Sequence, residues 1–433
     1  MKFKITGGKT LSGEIELAGA KNAATKLMIT SLLTNEPCVL ENMPHIGDVM
    51  ITGELCKSVG SFISHEGHTL TIATPEITTH KVGPLSRKNR IPILALGPLL
   101  ARTGKAEVPF LGGDKIGARP VDIHLAALQE MGAVIKVEGD TYVAEAPNGL
   151  RGARIDMRFP SVGATENTIL AAVLAKGRTV IHNAAVEPEI IDVIKFLQKM
   201  GAIIELGTNR MIAIEGVSKL HGAKHEVMPD RNEAVSFACL GLVTGGPVLV
   251  KNARQDELIT FLNAVRRIGG DYQVRSNGIS FFRPEGVQFQ GIEIETDTHP
   301  GFMTDWQQPF AVVLTQAEGL SVIHETVFED RFGYIKDLGT MGADIKVLNK
   351  CLGELKCRFS GGNSAHCAVI DGPTKLKAAN LMVKDLRSGM VNIIAALIAD
   401  GVSIIDGIEE IDRGYENIDT RLRALGAQIE RIG

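Results

Sequence analysis

Hydrophobic and polar positions fall into blocks that recur along the chain. A stretch patterned as an amphipathic helix ends at a glycine, a small residue follows, and an apolar strand begins. The pattern reads LCKSVGSFI, LQEMGAVI, LQKMGAII, VRRIGGDY, LGTMGADI and LRALGAQI, with Gly60, Gly132, Gly201, Gly269, Gly342 and Gly426 as markers. Successive markers lie 72, 69, 68, 73 and 84 residues apart, which predicts a repeated supersecondary unit. The glycine suits the residue just past a helix, where a positive φ is needed. After most markers comes a hairpin pattern, such as IKVEGDTYVAEA, with turn residues Glu138-Gly139-Asp140; Gly207-Thr208-Asn209 marks another. Before each marker the chain reads strand, small-residue helix, strand, amphipathic helix. ARIDMRF, SVGATENTILAAVLAKG, RTVIHNA and EPEIIDVIKFLQKMG show this order in the third unit. Each unit is therefore predicted as βαβαββ.

The sixth unit reaches Gly433 without room for its full hairpin, and the strands in FKITGGK and GEIELAG belong to no complete unit. Both N-terminal strands are assigned to the last unit. The expected fold is α/β with two domains of three βαβαββ units. Residues 21–229 form one domain, and residues 1–20 plus 230–433 form the other, completed by both termini. Two connecting strands would permit hinge closure over a cleft.

Composition narrows the class. The 433 residues are 44% hydrophobic and 22% charged, as in ordinary globular proteins. A net charge of −4 argues against broad nucleic-acid binding, which needs a basic excess. The most apolar run, Ile91 to Ala101, is short and broken by Pro92, Gly97 and Pro98, so no membrane span is expected. MKFKITGGKTLSGE lacks the apolar core of a signal peptide, which predicts a cytoplasmic protein with six free cysteines.

The repeat also orders the polar residues. Asn22, Arg90, Ser161, Arg231, Asp305 and Arg387 precede their markers by 38, 42, 40, 38, 37 and 39 residues, just before the first helix of each unit. Asp48, Glu189, Asp256, Arg331 and Arg413 hold a second such place, before the second helix. Asp114 and Arg119 take that place in the second unit, on the long loop FLGGDKIGARPVDIHL. Acids cap helices well, but the helix dipole disfavours arginines there. Lys21, Arg90, Arg119, Arg331, Arg387 and Arg413, if they converge, suit a ligand with several phosphate or carboxylate groups. Trp306, the only tryptophan, adjoins Asp305 and is expected in the same cleft.

Other motifs fail. Gly8-Lys9-Thr10 would need a glycine at Phe3 to be a P-loop, and no two glycines are separated by one residue, so GxGxxG is absent. Cys351, Cys357, His366 and Cys367 match no common zinc spacing and read as an enlarged hairpin, with no metal expected.

Several stretches together resemble the UDP-N-acetylglucosamine 1-carboxyvinyltransferase family of enolpyruvyl transferases. They are LAGAKNAA, ALGPLLAR, GGDKIGARPVDIHL, FPSVGATEN, THPGFMTDWQ, ETVFEDRF, DLRSG and IDRGYENI, spread over essentially the whole chain. The resemblance implies an inside-out α/β barrel with three βαβαββ repeats per domain. It implies transfer of enolpyruvyl from phosphoenolpyruvate to the 3-hydroxyl of UDP-N-acetylglucosamine, releasing phosphate, as the first committed step of peptidoglycan synthesis. No cofactor is implied. Lys21, Arg119, Arg331, Arg387 and Arg413 would hold phosphoenolpyruvate. Asn22, Arg90, Arg119, Pro120, Val121, Asp122, Ile123, Ser161, Val162, Gly163 and Val327 would hold the UDP-sugar. Asp305 would bind substrate and take or relay the hydroxyl proton, with Asp114, Lys21 and Arg413 also catalytic. Asp114 stands where most of the family carries the cysteine that fosfomycin attacks, so insensitivity to that drug is expected. A sister enzyme acting on shikimate 3-phosphate, and a catalytically silent UDP-sugar sensor, are the alternative readings.

Overall fold

A computed structural model of the chain describes residues 1–83, 89–112, 120–355, 357 and 359–433. The chain divides into two compact units. The terminal unit comprises Met1–Ala18 and Pro229–Gly433. The inserted unit comprises residues 19–112 and 120–228. Each carries three small sheets; five of the six are four-stranded with one topology, and that of the second repeat has three strands among the described residues, Lys105–Pro109, Val134–Glu138 and Thr141–Glu145. Arg154–Asp156 pairs parallel with Arg178–His182, and the hairpin Ile203–Leu206 and Ile212–Glu215 completes that sheet antiparallel. The marker glycines end the second helices with φ between 89° and 115°, the left-handed conformation that the sequence pattern requires of them.

Three sheets draw a strand from elsewhere in the chain. Lys224–Glu226 follows the third repeat but pairs parallel with Cys38–Glu41 of the first. Lys2–Thr6 lies between Val402–Asp406 and Gln428–Ile432, so the two chain ends together make the last hairpin. Gly13–Glu16 pairs parallel with Val248–Lys251 of the fourth repeat. The assignment of both N-terminal strands to the last unit is therefore corrected for this second strand. The cause is local: Gly7 and Gly8 donate to Gly401 and Leu397, and Gly8 takes φ 77°, which ends the first strand.

The first helix of each repeat is enclosed by the others and by the sheets. Arg231–Thr244 buries all its residues except Val243. It packs against Thr304–Leu314 and Leu386–Ile398 at the centre of the terminal unit. Such a helix is buried all round, unlike the amphipathic second helices. Pro188–Lys199 buries Ile190, Val193, Ile194, Phe196 and Leu197 and exposes Lys195, Gln198 and Lys199. Close approach demands small residues: a Cβ on Gly241 would meet the Phe281 carbonyl at 2.9 Å. Among the described residues no helix is long and apolar enough to cross a membrane.

One buried ion pair fastens the N-terminal segment to this core. Arg421 donates to both oxygens of Glu233, at 2.8 and 2.9 Å, and to the Glu16 carbonyl. Glu233 also accepts the Ala18 N–H at 3.2 Å, and the guanidinium lies over the Phe237 ring. Glu233→Ala strands the partner charge and should cost about 3–5 kcal/mol in urea unfolding. Glu233→Met combined with Arg421→Leu should lose much less, since no charge is left uncompensated. Equal losses would show that the pair matters through packing alone.

Candidate active site

The polar residues found by repeat spacing lie at equivalent helix starts. Asn22 is in the first turn of Lys21–Thr30, Arg90 precedes the 3-10 turn Ile91–Ala95, and Ser161 is the N-cap of Val162–Ala172. Arg231, Asp305 and Arg387 open the three central helices of the terminal unit. The capping itself falls to neighbouring acids. Asp230 accepts the N–H groups of Asn232 and Glu233 at 2.7 and 3.1 Å. Asp385 accepts those of Arg387 and Ser388, and the Ser388 hydroxyl accepts the Asp385 N–H. The arginines thus serve no cap, and their buried charge needs another partner.

Asp305 is that partner within the terminal unit. Arg331 donates its Nη2 to Oδ1 of Asp305, and Arg387 donates Nε to Oδ2 at 3.3 Å. Both guanidiniums are buried, and Asp305 retains 20% side-chain exposure. Arg387 also donates to the Tyr415 hydroxyl at 3.0 Å, which meets Ser236 Oγ at 2.9 Å. Burial opposes the charge on Arg387, but Tyr415, Asp305 and Asp230 outweigh it and hold its pKa above the ordinary value. Arg413 donates to Glu410 at 2.7 Å. The loop after His324 is fixed by Glu325, a residue the sequence reading missed. Glu325 accepts from Thr304, Gln307 and the N–H groups of Val327 and Phe328, which ties the segment carrying Arg331 to the helix carrying Asp305. It opens the ETVFEDRF stretch, but nothing in that motif says which side chains it holds.

Trp306 corrects an expectation. It is 1% exposed and packs edge-on against Phe261 and Phe302, with its indole N–H on Asn232 Oδ1 at 3.0 Å. Successive helical residues point about 100° apart, so the neighbour of an accessible Asp305 faces the core.

In the inserted unit Lys21 pairs with Asp48 at 2.9 Å, joining the first-helix and second-helix positions of one repeat. Asn22 is partly exposed. Pro120 is exposed, Val121 is the N-cap of Asp122–Glu130, Asp122 pairs with Arg158, and Ile123 is half-buried against the core. Asp114 and Arg119 lie outside the described residues. His124, in the first turn of Asp122–Glu130, stands beside Arg90. Burial, and then the Arg90 charge, push its pKa down to about 3 against the opposing Asp122, so it is neutral. Its Nδ1 lies 3.4 Å from Asn167, which also accepts the Gly97 N–H and donates to Ile93. A Cβ on Gly163 would come within 2.9 Å of the imidazole, which explains glycine there. Ser161 accepts the Ala164 N–H at 3.4 Å, and Val162 packs against the core.

Each unit therefore presents paired cations and carboxylates at helix starts, groups suited to binding oxyanions and to moving protons. Comparison with known proteins agrees in kind. The chain matches the EPSP synthase (3-phosphoshikimate 1-carboxyvinyltransferase) family over residues 5–422. It is 50% identical over 432 residues to a UDP-N-acetylglucosamine 1-carboxyvinyltransferase of Chlamydia pneumoniae, covering 99% of this chain and 94% of that one. It is 48% identical over 438 residues to the protein of that name from Protochlamydia amoebophila, with the same two coverages. The solved enolpyruvyl transferase NikO from Streptomyces tendae shares the fold, with a TM-score of 0.86 at 22% identity, over 99% of this chain and 98% of that one.

Glu166, inside the FPSVGATEN stretch, is buried with neither carboxyl oxygen hydrogen-bonded among the described residues. Burial raises its pKa to about 7; Lys26 opposes this, and Glu189 and Glu187 add to it. Between pH 4.5 and about 7 the folded chain holds a proton here that the unfolded chain has released, so stability is lost as pH rises through that window. Glu166→Gln removes this loss. The variant should gain on the parent by up to about 3 kcal/mol between about pH 4 and about pH 8 in urea unfolding. A pH-independent difference would show that the carboxyl titrates normally.

Proposed function

The chain belongs to the EPSP synthase family of carboxyvinyltransferases, in its UDP-N-acetylglucosamine 1-carboxyvinyltransferase group, and from that membership we propose the reaction and the role of each residue. The enzyme moves the enolpyruvyl group of phosphoenolpyruvate to the 3-hydroxyl of UDP-N-acetylglucosamine and releases phosphate, the first committed step of peptidoglycan synthesis, in the cytoplasm. The observation that carries the catalytic reading is Asp305 held between Arg331 and Arg387.

The chemistry follows from that carboxylate and its two cations. The 3-hydroxyl oxygen bonds to the central carbon of phosphoenolpyruvate while its proton passes to Asp305. A proton is added to the methylene carbon, and Asp114 is the donor. Phosphate is then expelled with the proton that Asp305 had taken, and a methyl proton returns to Asp114, which restores the enol ether and both carboxyl groups. Lys21, Arg119, Arg331, Arg387 and Arg413 hold the phosphate and carboxylate of phosphoenolpyruvate. Those anions compete with Asp305 for Arg331 and Arg387, so substrate binding itself frees the carboxylate to accept a proton. Asn22, Arg90, residues 119–123, Ser161 to Gly163 and Val327 hold the UDP-sugar. Neutral His124 and Asn167 position Arg90 and the helix beginning at Val162.

Phosphate release with UDP-N-acetylglucosamine, against shikimate 3-phosphate as acceptor, tests the reading. Release with the second alone would move the chain to the sister activity, and binding without release would make it a sensor. Asp305→Asn should lower kcat by about 100-fold or more with UDP-sugar affinity largely kept. Near-parental kcat would remove Asp305 from the mechanism. Fosfomycin's epoxide is opened by a thiolate far faster than by a carboxylate. The parent enzyme should therefore keep its activity after preincubation with the drug, whereas Asp114→Cys becomes sensitive over time. Intact mass after incubation decides: a drug adduct on the parent enzyme would refute the assignment of Asp114.

A further inference from the structure

The enlarged hairpin of the fifth repeat gathers side chains that the enolpyruvyl reaction does not use. Strands Asp344–Leu348 and Cys367–Gly372 pair in register, and residues 349–366 run between them. Strand Gly319–His324 pairs on the other side and sets His324 opposite Cys367. The ligand atoms of His324, Cys351, Cys357 and His366 thereby all fall within 4.8 Å of one another. The sequence reading had grouped Cys351, Cys357, His366 and Cys367. It omitted His324, which only strand pairing brings to the hairpin.

We propose that His324, Cys351, Cys357 and His366 bind one Zn²⁺ in a closed tetrahedral site. Two thiols and two imidazoles are a donor set that zinc favours, and four protein ligands leave no open position, which marks a structural site. A tetrahedron with ordinary zinc–sulfur and zinc–nitrogen bonds has edges of about 3.3–3.8 Å. Cys351 Sγ and His366 Nε2 are already 3.2 Å apart. His324, His366 and Cys357 are buried, and Cys351 is partly so.

The surroundings fix each imidazole for metal binding. His324 Nδ1 lies 2.7 Å from Glu295 Oε1, and His366 Nδ1 lies 2.8 Å from the Ser364 carbonyl. Both Nδ1 atoms therefore carry the proton, and both Nε2 lone pairs face the cluster, the arrangement that outer hydrogen bonds impose on metal-bound histidines. Nε2 of His324 is buried with no hydrogen-bond partner among the described residues, a costly state that a metal bond resolves. Glu295 also accepts the Leu355 N–H through both oxygens, at 3.0 and 3.2 Å, and the Phe359 N–H reaches Cys357 Sγ at 3.3 Å. A thiol–imidazole hydrogen bond would account for Cys351 and His366 and leave the buried Nε2 of His324 without a partner among the described residues. Binding releases the two thiol protons, and no electron is transferred.

The test uses the full chain, expressed with added zinc and purified under reducing conditions. Elemental analysis should give about one zinc per chain, and His324→Ala and the double variant Cys351→Ser with Cys357→Ser should each fall about tenfold. The metal-depleted parent protein, titrated with Co²⁺, should develop tetrahedral visible bands and a thiolate charge-transfer band. This readout needs no variant to fold. Background zinc together with no tetrahedral cobalt spectrum overturns the site. So does a Cys351–Cys357 disulfide that persists under reductant with no metal bound. Loss of zinc in Cys367→Ser with retention in His324→Ala would overturn this set of ligands.

Discussion

A buried guanidinium must have a counter-charge, and Asp305 supplies it twice. Leaving Arg331 or Arg387 unpaired in the interior of the terminal unit would cost several kcal/mol, more than most single interactions return. Three helix starts converge there, and each already carries the positive end of a dipole. The acids Asp230 and Asp385 are consumed as caps. Asp305 then meets both arginines, while Arg387 also donates to the Tyr415 hydroxyl, which in turn meets Ser236. Much of the local architecture follows from this one requirement. Glu325 stitches the Arg331 segment to the Asp305 helix, and the Trp306 indole is turned inward to Asn232.

The same economy governs the enclosure of the first helices. A helix that is apolar all round cannot stand at a surface, so every repeat must be closed on all sides. The chain achieves this by lending strands between repeats: residues 224–226 to the first sheet, residues 13–16 to the fourth, and residues 2–6 to the last. The Glu233–Arg421 pair then holds the lent N-terminal segment against the central helix. In the fifth repeat the hairpin itself is enlarged, and its polar cluster is closed by side chains rather than by another strand. There the buried, unpartnered Nε2 of His324 is the point at which hydrogen bonding alone fails to complete the structure.

Sequence by itself determined the repeat, because its signals are local. A glycine needed at positive φ, turn residues between alternating strands, and one amphipathic helix per unit are each dictated by neighbours a few residues away. From these came six βαβαββ units, the equivalence of Asn22, Arg90, Ser161, Arg231, Asp305 and Arg387, and the inference that such arginines are not caps. The family resemblance added the reaction, since motifs in fixed order carry chemistry that periodicity cannot. Only the tertiary structure decided which polar groups meet. Asp305 could have faced solvent, Trp306 could have shared its side of the helix, and residues 13–16 could have closed the last sheet. Sequence spacing is silent on the first and misleads on the other two, because ion pairing, indole burial and strand lending depend on partners tens to hundreds of residues away. His324 makes the point most sharply. It lies 27 residues before Cys351, outside any zinc spacing, and becomes a ligand candidate only because a strand pairing of the folded chain places it there.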